Sequence, residues 1–155
     1  MSRFAPAKEP VLDDGLPAYG NPFVTSGYLY PRGFLDEHSG TDAEGKPGSP
    51  EQVVGEWTCR GWMIGDGMHT SSGPIVATTQ IYDVYDEPGY ARGKQSTRRT
   101  LITDGYELVD IGQTALRAIT GGTGPFAGAR GQMAQQLLGF NESEGVNLRV
   151  AFELD

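Results

Sequence analysis

Charged and phenolic side chains interrupt segments that otherwise have the composition of β-strands, and these residues could do chemistry. Glu56 and Arg60 lie in one such segment, and Asp83 follows Tyr82 in another. A carboxylate held in a pocket can act as a general acid or base. A guanidinium or a phenol can donate a hydrogen bond to a carbonyl. The alternative is that these charged residues face solvent, as most charged residues do.

The same segments contain enough aromatic residues to line a pocket, which is typical of small-molecule sites. We predict Tyr82, Arg60 and Glu56 as catalytic candidates. The predicted substrate-binding residues are Trp57, Trp62, Gln80, Tyr85, Phe126, Tyr28 and Tyr30. Among all of these, strand alternation leads us to expect Tyr82, Gln80, Trp62 and Arg60 in an interior lumen, with Tyr28 and Tyr30 at its mouth.

Other common chemistries find little support in the sequence. The glycine-rich stretch 121–131, GGTGPFAGARG, lacks the ending of a phosphate loop and the glycine spacing of a dinucleotide fingerprint. It predicts instead a sharp turn, with Phe126 plugging the interior. The two histidines, His38 and His69, have no metal-ligand spacing, and no Gly-x-Ser-x-Gly elbow is present. We therefore expect no metal and no cofactor.

Composition limits the partners and the compartment. The formal net charge of −8 disfavours binding to nucleic acid or to anionic lipid. No apolar run has the length of about 20 residues that a membrane span needs, and the first ten residues do not read as a signal peptide. Cys59 is the only cysteine, which excludes an intrachain disulfide and fits a reducing compartment. We expect a cytoplasmic protein.

The elements that must position these residues are strands. Segments rich in β-branched and aromatic residues, bounded by turn residues, occur at 22–30, 53–64, 74–85, 95–103, 106–110, 113–120, 131–140 and 146–154. Asp104-Gly105 predicts a two-residue hairpin between the fourth and fifth segments. These segments predict an all-β, eight-stranded antiparallel β-barrel whose interior holds one small ligand.

The chain divides into an N-terminal arm and one barrel domain. Residues 1–21 contain three prolines and no periodic pattern, so we interpret them as an extended arm. This arm is either a disordered tail or a lid, in which residues 4–19 lie across the barrel mouth. Residues 22–155 form the single predicted β-barrel domain.

Several motifs resemble those of the allene oxide cyclase barrel and dirigent superfamily. They are TDGYEL at 103–108, AITGGTGPFAGARGQ at 118–132 and the alternating final strand. Upstream, GEWTCRGW at 55–62 and VATTQIYDV at 76–84 fit its bacterial members. The resemblance covers residues 22–155 and implies a barrel with a hydrophobic cavity, in a homodimer or homotrimer. It also implies cofactor-free handling of a reactive or flexible substrate, and it transfers no catalytic residue.

Similar bacterial barrels include spirotetronate-type cyclases, which close rings on polyketides by intramolecular [4+2] addition. The resemblance thus predicts a cofactor-free cyclase of bacterial secondary metabolism, acting on a small hydrophobic, polyketide-like substrate. A non-catalytic binding barrel, dirigent-like or lipocalin-like, is one alternative. An acid/base isomerase using Glu56 or Asp83, or an allene-oxide-type cyclase, is another.

Overall fold

The computed structural model describes residues 9–90 and 99–155, and this part of the chain is all-β. Its strands are β1 Pro22–Leu29, β2 Gly55–Met63, β3 Pro74–Val84, β4 Thr100–Leu108, β5 Thr114–Gly122, β6 Gly131–Phe140 and β7 Val146–Leu154. A short helix α1, Phe34–Glu37, and single 3-10 turns at Pro50–Gln52, Gly67–His69 and Gly124–Phe126 lie in the connections. No helix within the described ranges has the length and apolarity to cross a membrane.

The strands follow one another in space as they do in sequence. They form a single seven-stranded antiparallel sheet in the order β1 to β7, curled into a half-barrel. Within residues 9–90 and 99–155 no ladder joins β7 to β1. The two edge strands instead face each other across a seam, and residues of both line the internal cavities.

Alternation of side chains defines the inner and outer faces of the sheet. On β2, Trp57, Cys59 and Met63 are buried, whereas Arg60 and Trp62 between them are exposed. This follows from the two-residue period of a strand, which sends successive side chains to opposite faces. The ladder to β3 extends the inner face, because Trp57 lies opposite Tyr82 and Cys59 lies opposite Gln80.

The predicted hairpin at Asp104-Gly105 is wrong, and this changes the strand count. Both residues lie within β4, where they pair with Thr79 and Thr78 of β3. The predicted fourth and fifth strands are therefore one strand, apart from residues 95–98, which lie outside the described ranges. Gly105 serves packing: a Cβ there would lie 3.2 Å from Cγ of Arg117, whose side chain crosses this point.

The glycine-rich stretch 121–131 forms the corner between β5 and β6. Gly122 must lack a side chain, because a Cβ there would lie 2.6 Å from the carbonyl oxygens of both Thr100 and Phe126. Phe126, at the end of a 3-10 turn, packs against the hydrophobic core while remaining partly exposed. The stretch thus has a structural role in the sheet.

Residues 9–21 fold back on themselves. The amide of Ala18 bonds the carbonyl of Pro10, and the amide of Gly20 bonds the carbonyl of Met63 at the end of β2. A further bond runs from the amide of Met68 to the carbonyl of Pro17. The segment is therefore anchored to one end of the half-barrel, and residues 1–8, including Phe4, lie outside the described ranges.

Candidate functional site

The larger internal cavity has a volume of about 290 Å³ and lies at the end of the half-barrel near residues 9–21. Its wall is mostly apolar and comes from opposite parts of the curled sheet. The strand residues in the wall include Phe23, Thr25, Trp57, Cys59, Met63, Val76, Glu107, Leu137, Val146 and Leu148. Leu16, Pro17 and Met68 add to the wall from the connecting segments, and Glu144 in the turn between β6 and β7 adds an exposed carboxylate.

Glu107 of β4 places a carboxylate in this apolar wall, although its side chain is only 8% exposed. Its Oε1 accepts hydrogen bonds from Oγ1 of Thr78 at 2.7 Å and from Sγ of Cys59 at 3.3 Å. Its Oε2 accepts one from Nε2 of Gln135 at 3.0 Å. Three donors from three other strands therefore fix the carboxylate, which stabilises a buried charge.

Arg117 of β5 brings a positive charge into the same interior and is almost fully buried. Its guanidinium donates to the carbonyl of Thr78 at 2.9 Å, the carbonyl of Tyr106 at 3.2 Å and Oγ1 of Thr103 at 3.3 Å. No carboxylate of the described residues lies within 4 Å of it. Glu107 and Arg117 are therefore each held in the interior by neutral groups.

Burial controls the chemistry of Cys59 and Tyr82. The pKa of the Cys59 thiol is raised by burial and by the negative charge of Glu107, so the thiol stays protonated and acts as a donor. Burial also raises the pKa of Tyr82, whose hydroxyl donates to Oε1 of Gln80. Neither side chain is disposed to act as an anionic nucleophile or base.

Among residues 9–90 and 99–155, three buried polar atoms on the inner face have no partner in hydrogen-bonding geometry. They are Nε1 of Trp57, Nε2 of Gln80 and Oε1 of Gln135. Unpaired buried polar groups cost about 1–3 kcal/mol each, so they are normally satisfied by a ligand or by ordered water. Trp57 lines the cavity, and its buried indole N–H lies close to the Tyr82 hydroxyl.

A smaller cavity of about 130 Å³ lies in the seam between β1 and β7. Tyr28, Tyr30, Tyr82 and Arg149 are among its lining residues, and Trp57 and Leu148 line both cavities. An ion pair between Arg149 and Asp36 links β7 to α1 here. The hydroxyl of Tyr30 donates to the carbonyl of Gly40 at 2.7 Å, and the ring of Tyr30 stacks on Phe34.

The lumen placements of Arg60 and Trp62 are wrong. Trp62 is 59% exposed, and Arg60 is exposed on the same outer face. The inner face of β2 belongs instead to Trp57, Cys59 and Met63. The predicted alternation of side chains along β2 is correct. The sequence does not mark which of the two faces is buried, and choosing the opposite face places every side chain of the strand on the wrong side of the sheet.

Glu56 also lies outside the lumen, in a cluster on the outer face with Asp83, Tyr85 and Tyr28. Glu56 pairs with Asp83 across the β2–β3 ladder, and each has a buried carboxylate oxygen without a partner. Burial and the charge of Glu56 raise the pKa of Asp83. Burial also raises the pKa of Tyr85, and burial with the neighbouring Tyr90 raises that of Tyr28 to about 12. Neither Glu56 nor Asp83, the two alternatives for an acid/base residue, therefore lines the larger cavity.

The residues that sequence reasoning missed are Glu107, Arg117, Gln135, Thr78 and Thr103. A usable signal existed in the strand alternation: Glu107 shares a face with Leu101 and Thr103, once the strand is continued through Gly105. Arg117 shares a face with Ile119 by the same rule, and both are buried. The hairpin predicted at Asp104-Gly105 interrupted this alternation between Thr103 and Glu107.

Within residues 9–90 and 99–155, no group of three or more His, Cys, Asp or Glu side chains is arranged to hold a metal ion. Comparison with known proteins places the chain in no group: no family model, no curated protein and no solved structure matches it.

Proposed function

We propose that this protein is a cofactor-free cyclase that folds a flexible, largely apolar organic molecule inside the larger cavity. The observation that carries the proposal is a mostly apolar cavity of about 290 Å³ whose buried carboxylate, Glu107, is fixed by hydrogen bonds. Such cavities, with few well-placed polar groups, are the usual form of small-molecule sites. The resemblance of 22–155 to cyclase barrels suggests ring closure as the reaction.

Ring closure by a pericyclic addition suits a site of this composition. The reaction needs the two ends of a chain held together and needs neither a proton relay nor a redox group. Confinement in a reactive geometry can remove up to about 7–11 kcal/mol of barrier in well-oriented cases. Apolar walls contribute about 25 cal/mol for each Å² of substrate surface removed from water.

The polar groups would orient the substrate. The Glu107 carboxylate accepts hydrogen bonds, so it would receive a substrate hydroxyl or enol. Nε1 of Trp57, which is buried without a partner, would donate to a conjugated carbonyl and lower the energy of its accepting orbital. Tyr82 lies opposite Trp57 in the β2–β3 ladder, and its hydroxyl donates to the Gln80 amide oxygen and holds it in place. In this arrangement Tyr82 positions other groups and does not itself react.

Residues 9–21 would act as the lid of the cavity. Leu16 and Pro17 form part of its wall, and the hydrogen bond from Met68 to Pro17 fixes them there. Asp14 adds a contact to His69 at 2.7 Å. We expect Leu16→Ala to speed dissociation of a bound apolar probe. Tyr19→Ala, a change at an exposed residue of the same segment outside the cavity wall, should leave dissociation unchanged.

A non-catalytic binding protein is the second candidate, and the hydrogen bonds of Glu107 favour it. Both carboxylate oxygens already accept bonds from protein donors. A carboxylate satisfied in this way is suited to anchoring a ligand and unsuited to exchanging protons. Both candidate functions use the same cavity, and a measurement of product formation distinguishes them.

The test of the cyclase proposal uses a linear conjugated diene tethered to an α,β-unsaturated ketone. Cyclised product is measured by chromatography with and without protein. We expect the protein to accelerate closure, and Leu148→Trp to abolish the acceleration by filling the cavity. Thr58→Trp, which places the same side chain on the exposed face of β2, should retain it. Equal rates with and without protein over a series of chain lengths would refute the cyclase.

Binding is measured separately by tryptophan fluorescence. Trp62→Phe leaves Trp57 as the only tryptophan, inside the cavity wall, and Trp57→Phe leaves Trp62 on the outer face. An uncharged naphthylamine probe should quench Trp57 alone. Quenching of Trp57 without accelerated ring closure would refute the cyclase and support the non-catalytic binding protein. Absence of quenching in the Trp62→Phe variant would show that the probe does not bind in the cavity.

A further inference from the structure

An apolar row crosses the outer face of the half-barrel, on the side away from the cavities. Pro22 pairs with Trp62, Trp62 with Ala77, and Ala77 with Tyr106, so one register line runs over β1 to β4. Trp62 is 59% and Tyr106 is 57% exposed. On the adjoining strand Leu116 is 64% exposed. Large apolar side chains in a contiguous exposed patch mark an interaction surface.

A second row, two residues further along the strands, carries opposite charges. Arg60 pairs with Thr79, and Thr79 pairs with Asp104. The positive and negative residues therefore flank β3 on either side. Asp104 accepts bonds from Oγ1 of Thr79 at 2.5 Å and of Thr120 at 3.0 Å. No side-chain hydrogen bond or ion pair engages the guanidinium of Arg60 in the part of the chain that the structure describes, so it is available to a partner.

We infer that a second copy of this chain packs on this face, about a two-fold axis that runs along β3. Rotation about that axis exchanges β2 with β4. Trp62 of each copy then lies over Tyr106 of the other, and Arg60 lies over Asp104 of the other. The apolar row and the charged row are both self-complementary under this operation, as a two-fold interface requires.

The sizes of the side chains fit the curvature of the sheet. Two convex faces approach most closely along β3, where the residues on the axis are the small Ala77 and Thr79. The faces curve away from each other over β2 and β4, where the large Trp62 and Tyr106 fill the widening gap. This arrangement lets two curved sheets form a densely packed interface.

The net charge of the chain favours an interface in which opposite charges are paired. The chain carries a formal charge of −8, so two copies repel each other unless their contact pairs opposite charges. The proposed contact makes two Arg60–Asp104 pairs at the edge of an apolar patch. It leaves both cavities open, so the dimer does not depend on the function proposed above.

Charge exchange tests the dimer. The full chain is analysed by sedimentation equilibrium over a dilution series. We expect the wild type to be dimeric, and Arg60→Asp to weaken association by roughly 100-fold, because it juxtaposes like charges twice. Asp104→Arg should do the same. The double variant Arg60→Asp, Asp104→Arg should restore the dimer, since both pairs are re-formed with reversed polarity.

The control is Arg32→Asp, which makes the same charge change at an exposed residue away from this face. It should leave association unchanged, and circular dichroism confirms the fold of every variant. A monomeric wild type or a trimer would overturn the inference. So would a dimer insensitive to Arg60→Asp, a folded double variant that remains monomeric, or equal weakening by Arg32→Asp.

Discussion

Oγ1 of Thr78 donates a 2.7 Å hydrogen bond to the Glu107 carboxylate, from β3 to β4 inside the half-barrel. The carbonyl of the same Thr78 accepts a bond from Arg117 at 2.9 Å. One residue thus contacts both buried charges of the interior. This connection makes Thr78 the most informative place to disturb the polar network without removing a charge.

Thr78→Val should lower the free energy of unfolding by about 1.5–3 kcal/mol, because it deletes a hydrogen bond to a buried carboxylate while conserving shape. The backbone carbonyl that Arg117 uses stays in place. Urea unfolding measures the loss. Thr58→Val on the exposed face of β2 is the matched control and should change stability by less than about 0.5 kcal/mol. Equal losses in the two variants would show that the Glu107 network does not stabilise the fold.

Cys59 should resist alkylation in the folded protein. Burial and the charge of Glu107 raise the pKa of its thiol, so the reactive thiolate is nearly absent at mildly alkaline pH. A cysteine placed on the exposed face by Thr58→Cys, in a Cys59→Ser background, is the comparison. We expect iodoacetamide to label Cys59 slower by a factor on the order of 100. Comparable labelling rates would contradict the buried, protonated thiol.

Asp83→Asn should stabilise the protein, and the gain should depend on pH. Burial and the charge of Glu56 raise the folded-state pKa of Asp83 above 3.8, its ordinary value. The folded state therefore binds the proton more tightly, and stability falls as pH rises from 3.8 through the raised pKa. Thermal unfolding should show a gain for Asp83→Asn above that window and none below 3.8. A gain independent of pH would rule out this origin.

Two glycines at the β5–β6 corner should respond differently to alanine. Gly131 has φ of 135°, and a Cβ there would lie 2.0 Å from the carbonyl oxygen of Glu153. Gly128 has φ of 78° and nothing within 4 Å of such an atom. Gly128→Ala should cost about 1–2 kcal/mol from backbone conformation alone. Gly131→Ala should cost more than about 3 kcal/mol, or prevent folding, in urea titrations. Similar losses would show that the clash relaxes freely.

Most of the fold could be predicted from strand composition. The predicted segments 74–85, 131–140 and 146–154 correspond closely to β3, β6 and β7, because β-branched and aromatic residues with two-residue alternation identify strands locally. The hairpin failed because Asp-Gly is a local signal. It carries no information about Arg117, which needs the space above Gly105 and is remote in sequence.

The site was harder to predict for a different reason. Trp57, Gln80 and Tyr82 lie on the inner face, yet Trp62 and Arg60 lie outside, and local sequence treats these tryptophans alike. Burial of polar residues depends on partners from distant strands. Glu107 is tolerated inside because Gln135, Thr78 and Cys59 donate hydrogen bonds to it from three other strands. A rule that sends charges to the surface therefore misplaces it.

The seam between β1 and β7 bears on selectivity for guests. No ladder spans it in residues 9–90 and 99–155, so a separation of the two edge strands breaks no β-ladder there. A ligand wider than the cavity would then separate the edge strands without breaking a β-ladder, whereas in a fully closed barrel it would break one. Discrimination among guests would rest on the donors and acceptors they present to Glu107 and Trp57 rather than on their width.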